Sequence, residues 1–282
     1  MKIGIAGLGL MGGSIAKAYR DFSNQNNNDI KIFGFDKNID IVNFAILEGT
    51  INGALDETSI GKCDVIFIGL YPASAVEYLE NIAPLVSKGA YVIDLCGTKQ
   101  AICSKGFALA EKHGFTFIGG HPMAGTQFSG YKHSKANMFK GAPMVIVPPR
   151  FDDVSLLQKV RQLLTPLGFE KYSFTTAEEH DRLIAFTSQL AHVVSSAYVK
   201  SPTAKKHRGF SAGSYKDLTR VAWLNETMWT ELFFENKEPL LYEIDTIISS
   251  LTQYRDALES GDREKMHDIL REGRVAKELI DG

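Results

Sequence analysis

Short apolar segments alternate with helical stretches along the first half of the chain. The segments with the length and β-rich composition of strands are residues 3–6, 30–35, 65–70, 91–95, 115–118 and 143–147. Most are apolar on both faces, as strands are when helices cover both sides of a sheet. After Pro148 and Pro149, a helix over 153–164 and a strand over 170–174 continue the alternation. The pattern predicts βαβ units and a parallel sheet over residues 1–174.

Beyond residue 175 the alternation stops, and the pattern predicts an all-α domain over residues 175–282. The segment after Glu178 carries two opposite stripes at spacings of three and four. One stripe is apolar and predicts a buried face: Leu183, Phe186, Leu190, Val194 and Ala197. The other is small and polar, and fits either a solvated surface or a face that lines a site: Asp181, Ala185, Ser188, His192 and Ser196.

A second apolar stripe lies nearer the C-terminus. Steps of four and three alternate through Leu240, Ile244, Ile247, Leu251, Tyr254 and Leu258, a spacing typical of helix pairing. Such a seam can join two chains or pack within one. Because the α/β domain has helices of its own for cover, we expect the seam to form a two-fold homodimer interface.

The composition agrees with two globular domains and narrows the classes of partner. The chain has 282 residues, of which 44% are hydrophobic and 23% charged, as in ordinary soluble proteins. A net charge of −2 gives no sign of a nucleic-acid or membrane partner. The three cysteines, Cys63, Cys96 and Cys103, lack metal-ligand spacing. We therefore expect no metal, and a reducing, cytoplasmic location.

The most informative local motif directly follows the first predicted strand. It consists of Gly7, Leu8, Gly9, Leu10, Met11 and Gly12, and a helical pattern comes after it. The first glycine permits a tight turn, the second lets a pyrophosphate approach the backbone, and the third allows close packing of helix on strand. In this strand-to-helix context, the motif predicts a dinucleotide-binding loop of the Rossmann type.

An acidic residue at the end of the next predicted strand indicates which dinucleotide binds. Asp36 lies 24 residues after Gly12, close to where a carboxylate accepts hydrogen bonds from the adenosine ribose. Its charge repels a 2′-phosphate, which favours NAD over NADP, although Lys37 beside it argues the other way. The alternative is that Asp36 is a simple turn residue.

Two further strand ends carry reactive side chains. Ligands in open α/β sheets bind beyond the carboxyl ends of the strands. His121 follows the strand predicted over 115–118, and histidine is a suitable base near neutral pH. Thr98 follows the strand predicted over 91–95 and can direct a hydroxyl into the same crevice. We therefore expect His121 and Thr98 in one active site.

These motifs resemble those of the prephenate dehydrogenase family, the enzymes of tyrosine biosynthesis, over most of the chain. Residues 7–14 are similar to the family's cofactor loop, and the string Gly-His-Pro-Met-Ala-Gly-Thr at 120–126 is similar to its most specific motif. Further similar segments are 180–181, 188–192, 219–222 and 228–229. The resemblance implies an α/β Rossmann-type dinucleotide-binding domain followed by an all-α C-terminal dimerisation domain.

The resemblance also implies roles for particular residues. His121 contacts the substrate hydroxyl, and Thr98 stands where the family usually has a serine. His192 lines the substrate site, which favours a site-facing polar stripe, and Arg220 binds a substrate carboxylate. Trp229 is a peripheral site candidate and equally plausible as a core residue.

The apolar neighbours of Arg220 bear on its role independently of the resemblance. An arginine is costly to bury unless a carboxylate meets its guanidinium group. Its surroundings include Val221 and Trp223. The partner is therefore either a substrate carboxylate or, in a purely structural role, the side chain of Glu226.

The implied reaction is the NAD-dependent oxidative decarboxylation of prephenate to 4-hydroxyphenylpyruvate. Three alternatives stay open: an arogenate dehydrogenase, a β-hydroxyacid dehydrogenase and a non-catalytic NAD-binding regulator. A β-hydroxyacid dehydrogenase normally has a catalytic lysine on the helix after the nucleotide domain, and no lysine occurs between Lys171 and Lys200. His121 and Thr98 occur together with His192 and Arg220, which argues against a non-catalytic regulator.

Overall fold

A mixed eight-stranded sheet organises the first part of the molecule. The computed structural model describes residues 1–126 and 128–281. The strand order is β3-β2-β1-β4-β5-β6-β7-β8, and it reverses direction between β1 and β4. The strands are β1 (Lys2–Ala6), β2 (Lys31–Phe35), β3 (Gly53–Ala54), β4 (Val65–Ile68), β5 (Tyr91–Asp94), β6 (Thr116–Pro122), β7 (Pro143–Val147) and β8 (Lys171–Phe174).

Helices cover both faces of this sheet. They are α1 (Leu10–Gln25), α2 (Ile39–Leu47), α3 (Glu57–Ile60), α4 (Pro72–Ile82), α5 (Gln100–His113) and α6 (Val154–Leu164). The buried apolar side chains form two clusters, one containing Ile5 and Ile15 and the other Ile66 and Leu79. All four residues of β4 are buried, which explains why this strand is apolar on both faces. This architecture confirms the predicted Rossmann-type domain.

The sheet differs from the sequence prediction at two strands. β3 has only two residues, too few to produce a periodic pattern. β6 continues beyond Ile118, where its pairing with β5 ends, and residues 119–122 pair antiparallel with β7. The prediction of a wholly parallel sheet is therefore wrong between β6 and β7. The extension carries His121 beyond the carboxyl end of β5.

The second part of the molecule is helical. Its helices are α7 (Ala177–Ile184), α8 (Ala191–Val199), α9 (Gly213–Thr219), α10 (Glu226–Glu235), α11 (Lys237–Ser260) and α12 (Arg263–Asp281). A π-helical turn, Ala185–Leu190, joins α7 to α8. In the part of the chain that the structure describes, no helix combines the length and apolar character needed to cross a membrane.

The apolar stripe of α7 and α8 is only partly buried, at Leu190 and in part at Val194. Leu183 is 44% exposed and Phe186 is 56% exposed, whereas Asp181 and Ala185 on the opposite face are buried. Asp181 faces inward because its carboxylate meets backbone N–H groups at the start of α5. The wider π-helical turn also shifts the positions that follow it relative to an uninterrupted α-helix. Within one chain, the polar stripe therefore faces the protein at Asp181 and Ala185 and is half-buried at Ser188, His192 and Ser196.

Candidate active site

The glycine loop fits the pyrophosphate of a dinucleotide. Gly7 has a φ of +88°, and a Cβ on Gly12 would lie 2.0 Å from the Gly7 carbonyl oxygen, so the fold itself requires both glycines. A Cβ on Gly9 would meet no atom within 4 Å. Gly9 also precedes α1, whose first N–H groups lack a side-chain cap. Open space at a helix N-terminus suits a bound anion.

The other residues of the loop divide between core and surface. Leu8 is fully buried and packs in the cluster around Ile5. Leu10 and Met11 form the first turn of α1 and are partly exposed. Leu8 therefore anchors the loop, and the two residues after Gly9 offer their backbone toward a ligand.

Asp36 lies beside the glycine loop at the end of β2. Its Oδ2 accepts a hydrogen bond from the Leu8 amide at 3.0 Å, and its Oδ1 accepts one from the Asn38 amide at 2.9 Å. The second contact is a turn of the ordinary Asx type. The first contact ties the carboxylate to the loop, so the residue has both a turn role and a position suited to a ribose.

We predict that Asp36→Ser weakens the binding of NAD and improves the binding of NADP. Serine removes the charge that repels a 2′-phosphate. Titration of the dissociation constants of both cofactors tests this, with Asp40→Ser, an exposed carboxylate on α2, as the matched control. A wild-type protein that already prefers NADP would contradict the assignment.

A hydrogen-bonded relay holds the His121 ring. His121 Nδ1 lies 2.9 Å from His180 Nε2, and His180 Nδ1 lies 2.7 Å from Asp181 Oδ1. A carboxylate only accepts hydrogen bonds, so the proton of a neutral His180 is on Nδ1 and its Nε2 accepts from His121. We infer that His121 carries its proton on Nδ1, which leaves Nε2 unprotonated. This is the arrangement of a general base oriented by its neighbours.

The carboxylate of Asp181 also fixes the start of α5. It accepts hydrogen bonds from the Lys99 amide at 2.7 Å and from the Gln100 amide at 2.9 Å. Such N–H groups at a helix N-terminus stabilise a negative charge. Asp181 belongs to α7, whereas α5 covers the sheet. One buried side chain therefore connects the helical part of the molecule to the sheet part and, through His180, to His121.

A buried ion pair clamps the residue before His121. Lys99 Nζ contacts Asp94 Oδ2 and donates a hydrogen bond to the Gly120 carbonyl oxygen at 2.8 Å. Asp94 Oδ1 accepts one from the Gly120 amide at 3.1 Å. Lys99 and Asp94 are fully buried, and removing one partner would leave an uncompensated charge. The pair therefore holds both backbone polar groups of Gly120.

Burial and nearby cations keep His121 neutral. Burial, followed by His180 and the ammonium of Lys99, holds the pKa of His121 well below its usual value of 6.5. Burial also lowers the pKa of His180, although Asp181 acts in the opposite direction. For Lys99, burial disfavours the charged form, but Asp94, Cys96 and Cys103 together outweigh it and the pKa lies above its usual value. The site thus combines a neutral base with a permanent cation.

Thr98 lies after β5 but does not contact the base. It is 3% exposed, and its hydroxyl donates a hydrogen bond to Glu235 at the end of α10. Within residues 1–126 and 128–281, no hydrogen bond joins Thr98 to His121. The structure places the two at neighbouring strand ends and connects them through Lys99 and Asp181.

The remaining predicted residues form a second group in the helical part. The rings of His192 and Trp229 are 3.9 Å apart between centroids, and His192 Nδ1 lies 2.8 Å from the Ser188 carbonyl oxygen. Burial, and after it the charge of Arg220, lowers the pKa of His192. The three residues predicted to bind substrate are therefore neighbours, and no described residue forms a hydrogen bond with His192 Nε2.

The expectation that Arg220 is buried is wrong for a single chain. Arg220 is exposed, because α9 ends at Thr219 and the following turn lies on the surface with Trp223. Among the described residues it forms no ion pair, with Glu226 or any other acid. The alternative that Arg220 has a purely structural role, paired with Glu226, thus lacks the ion pair that it requires.

Several residues of the site had no predicted role. Asp181 is predicted only as a member of the polar stripe and His180 only through the resemblance, whereas Asp94, Lys99 and Glu235 have no predicted role in the site. Asp94 carried a usable signal, since an acidic residue that closes an apolar strand needs a partner when buried. Glu235 ends an ordinary helix and gave no local signal.

A Rossmann-type domain with an acid at the end of β2, a neutral histidine at the carboxyl edge of its sheet and a following helical domain are features of a two-domain NAD-dependent dehydrogenase. The family model described as "Prephenate dehydrogenase, nucleotide-binding domain" matches residues 21–172. The model described as "Prephenate dehydrogenase, dimerization domain" matches residues 176–272. The chain belongs to the prephenate dehydrogenase family and is an NAD-dependent oxidoreductase.

Individual relatives agree with this membership. A prephenate dehydrogenase from Bacillus subtilis (strain 168) is 27% identical, covering 99% of this chain and 75% of its own length. A crystal structure of prephenate dehydrogenase from A. aeolicus in complex with hydroxyphenyl propionate and NAD+ has a TM-score of 0.82 at 27% identity, with 100% and 98% of the chains covered. A Synechocystis arogenate dehydrogenase structure has a TM-score of 0.80 at 27% identity, with 99% of both chains covered.

Proposed function

We propose that this protein oxidises prephenate to 4-hydroxyphenylpyruvate and carbon dioxide, with His121 as the base. The observation that carries the proposal is the relay from Asp181 through His180, which leaves His121 Nε2 unprotonated at the carboxyl edge of the sheet. The names of the relatives supply the substrate class: two curated relatives are prephenate dehydrogenases.

The proposed chemistry begins and ends at one substrate oxygen. Bound NAD supplies the hydride acceptor, and the glycine loop with Asp36 would hold it. His121 Nε2 takes the proton of the ring hydroxyl, which Thr98 orients, as the hydride leaves the carbon that carries this hydroxyl. The bond to the ring carboxylate then breaks, carbon dioxide departs, and its electron pair makes the ring aromatic. The phenolate formed takes the proton back from His121, because a phenol has a pKa of about 10.

The test is an absorbance assay at the NADH band with purified protein. Prephenate and arogenate are each offered with NAD and with NADP. We expect NADH formation with prephenate and NAD. Activity with arogenate alone would mean that arogenate is the substrate instead. Arogenate is the main alternative because the chain is similar to the Synechocystis arogenate dehydrogenase. Turnover with neither substrate would remove the functional proposal while leaving the fold intact.

We also propose that Arg220 binds a carboxylate of the substrate, with His192 adding a hydrogen bond and Trp229 bordering the site. Among residues 1–126 and 128–281 no acid pairs with the guanidinium of Arg220, and its charge contributes to lowering the pKa of His192. A bidentate pair with a carboxylate acts in ground and transition states alike.

We predict that Arg220→Lys raises KM more than it lowers kcat. Lysine keeps the charge but loses the two-pronged geometry. Steady-state kinetics check this, with Arg208→Lys, an exposed arginine before α9, as the control. An unchanged KM in a folded variant would give Arg220 a structural role instead.

We propose that the protein is a cytoplasmic homodimer. Each chain has an α/β domain over residues 1–174 and a helical domain over residues 175–282, and the helical domains form the dimer interface. The seam predicted to pair helices, from Leu240 to Leu258, is buried only at its start. Leu240 is buried in its own chain, while Leu251 is 59% and Leu258 is 73% exposed. Exposed apolar positions continue on α12 at Leu270, Val275 and Leu279. Apolar area of this extent favours association.

We predict a solution mass of twice the 31.2 kDa chain. Light scattering at micromolar concentration measures it directly. Leu258→Glu places a charge in the proposed interface and should shift the mass toward the monomer, whereas Leu47→Glu, on exposed α2, should not. A wild-type mass near that of one chain would contradict the interface.

A further inference from the structure

The contact between Glu235 and Thr98 has no part in the chemistry described above. Thr98 Oγ1 donates its hydrogen bond to Glu235 Oε2. A hydroxyl has a single proton, so Thr98 cannot donate to a substrate oxygen while it donates to Glu235. The ring hydroxyl of the substrate also has one proton, and His121 requires it. Two oxygen atoms facing each other without a shared proton would repel.

The surroundings of Glu235 favour its neutral form. The side chain is half-buried at the last residue of α10. Burial raises the pKa of Glu235, the Thr98 hydrogen bond acts against this, and Glu231 and Asp181 raise it further. The charge of Lys99 acts in the opposite direction, but the pKa of Glu235 remains above its usual value. Any additional negative charge in the site pushes Glu235 further toward protonation.

We propose that Glu235 takes up a proton when dianionic substrate binds and then donates it as a hydrogen bond to Thr98. This inference rests on the proposed function. The chain of donors runs from Glu235 Oε2 to Thr98 Oγ1, from Thr98 to the substrate oxygen, and from the substrate hydroxyl to His121 Nε2. The proton comes from solvent and returns to it when the product leaves. Glu235 is therefore a positioning residue that acts through Thr98.

The test is calorimetric titration of the protein with prephenate in the presence of NADH, which cannot accept a hydride. Repeating the titration in buffers of different ionisation enthalpy gives the number of protons taken up. We expect wild-type uptake to exceed that of Glu235→Gln, whose amide is always neutral and can donate to Thr98. Above the pKa of Glu235, the affinity of the wild type for prephenate should fall with rising pH more steeply than that of Glu235→Gln, by up to about tenfold per pH unit.

Controls separate this role from a structural one. Glu238→Gln, an exposed carboxylate on α11, should keep wild-type uptake. Thr98→Val should reduce uptake, which keeps the proposal testable if Glu235→Gln does not fold. The kcat of Glu235→Leu should fall at least about tenfold below that of Glu235→Gln, because leucine cannot donate. Equal uptake by wild type and Glu235→Gln would overturn the inference. A wild-type protein that neither binds nor oxidises prephenate would instead overturn the proposed function.

Discussion

His121→Asn is expected to lower kcat by a factor of about 10²–10⁴, the usual contribution of a general base. Asparagine has a similar size and keeps a hydrogen-bonding group next to His180, but it cannot take a proton. Binding of NAD should stay nearly unchanged, since the glycine loop and Asp36 lie at other strands. Single-turnover kinetics and cofactor titration measure the two quantities separately.

The pH dependence provides a second measurement on the same residue. The base must be unprotonated, and burial holds the pKa of His121 well below 6.5. For the wild type, kcat should therefore rise with pH only below that value and be flat through neutrality. His121→Asn should lose this ascending limb, whereas His267→Asn, on the exposed helix α12, should keep it. A folded His121→Asn protein with full kcat, or with the same limb, would show that another group is the base.

Asp181→Asn is expected to inactivate the protein through the position of one proton. Backbone N–H groups donate to both carboxylate oxygens, so the NH2 of an asparagine faces one of them in either orientation. With the NH2 at the Oδ1 position, it donates to His180 Nδ1 and forces the His180 proton onto Nε2. That nitrogen then donates to His121 Nδ1, so the proton of a neutral His121 moves to Nε2 and blocks the base. Losing the correct tautomer in this way should lower kcat by at least about 10²-fold.

Asp181→Asn also disturbs the two amide contacts at the start of α5, so stability must be measured with activity. We expect a loss of about 1–3 kcal/mol in the free energy of unfolding, the cost of impaired buried hydrogen bonds. Asp152→Asn, an exposed acid, is the control for both measurements. A folded Asp181→Asn variant with kcat near that of the wild type would exclude the relay as the source of the tautomer.

The features visible in the sequence were those with a local pattern. The strands and the glycine loop follow from patterns within a few residues, Asp36 follows from its spacing to Gly12, and the structure confirms the fold they predict. The antiparallel pairing of β6 with β7 joins residues more than twenty positions apart. No local pattern records such a pairing, so the sheet was expected to be wholly parallel.

The polar network of the site was hidden for the same reason. Lys99 pairs with Asp94 and Gly120, and Asp181 with the amides of residues 99 and 100. In sequence, Lys99 looks like an ordinary surface lysine before a helix. Apolar character predicts burial of Leu183 and Phe186, whereas on α7 it is Asp181, held by two backbone amides, that is buried. Leu183 and Phe186 are exposed in one chain, as they would be if a second chain covered them.

The relay divides the enzyme into parts that can be exchanged independently and parts that cannot. The glycine loop and Asp36 lie within the first 36 residues and make no hydrogen bond to His180 or Asp181 among the described residues, so cofactor preference can be redesigned without touching proton transfer. A replacement helical domain is a different matter. His121 belongs to β6, but the two residues that set its tautomer belong to α7. A chimaera of this nucleotide domain with a foreign helical domain would therefore keep its base and lose its activity, unless the new domain brought a histidine and an acid to the same positions.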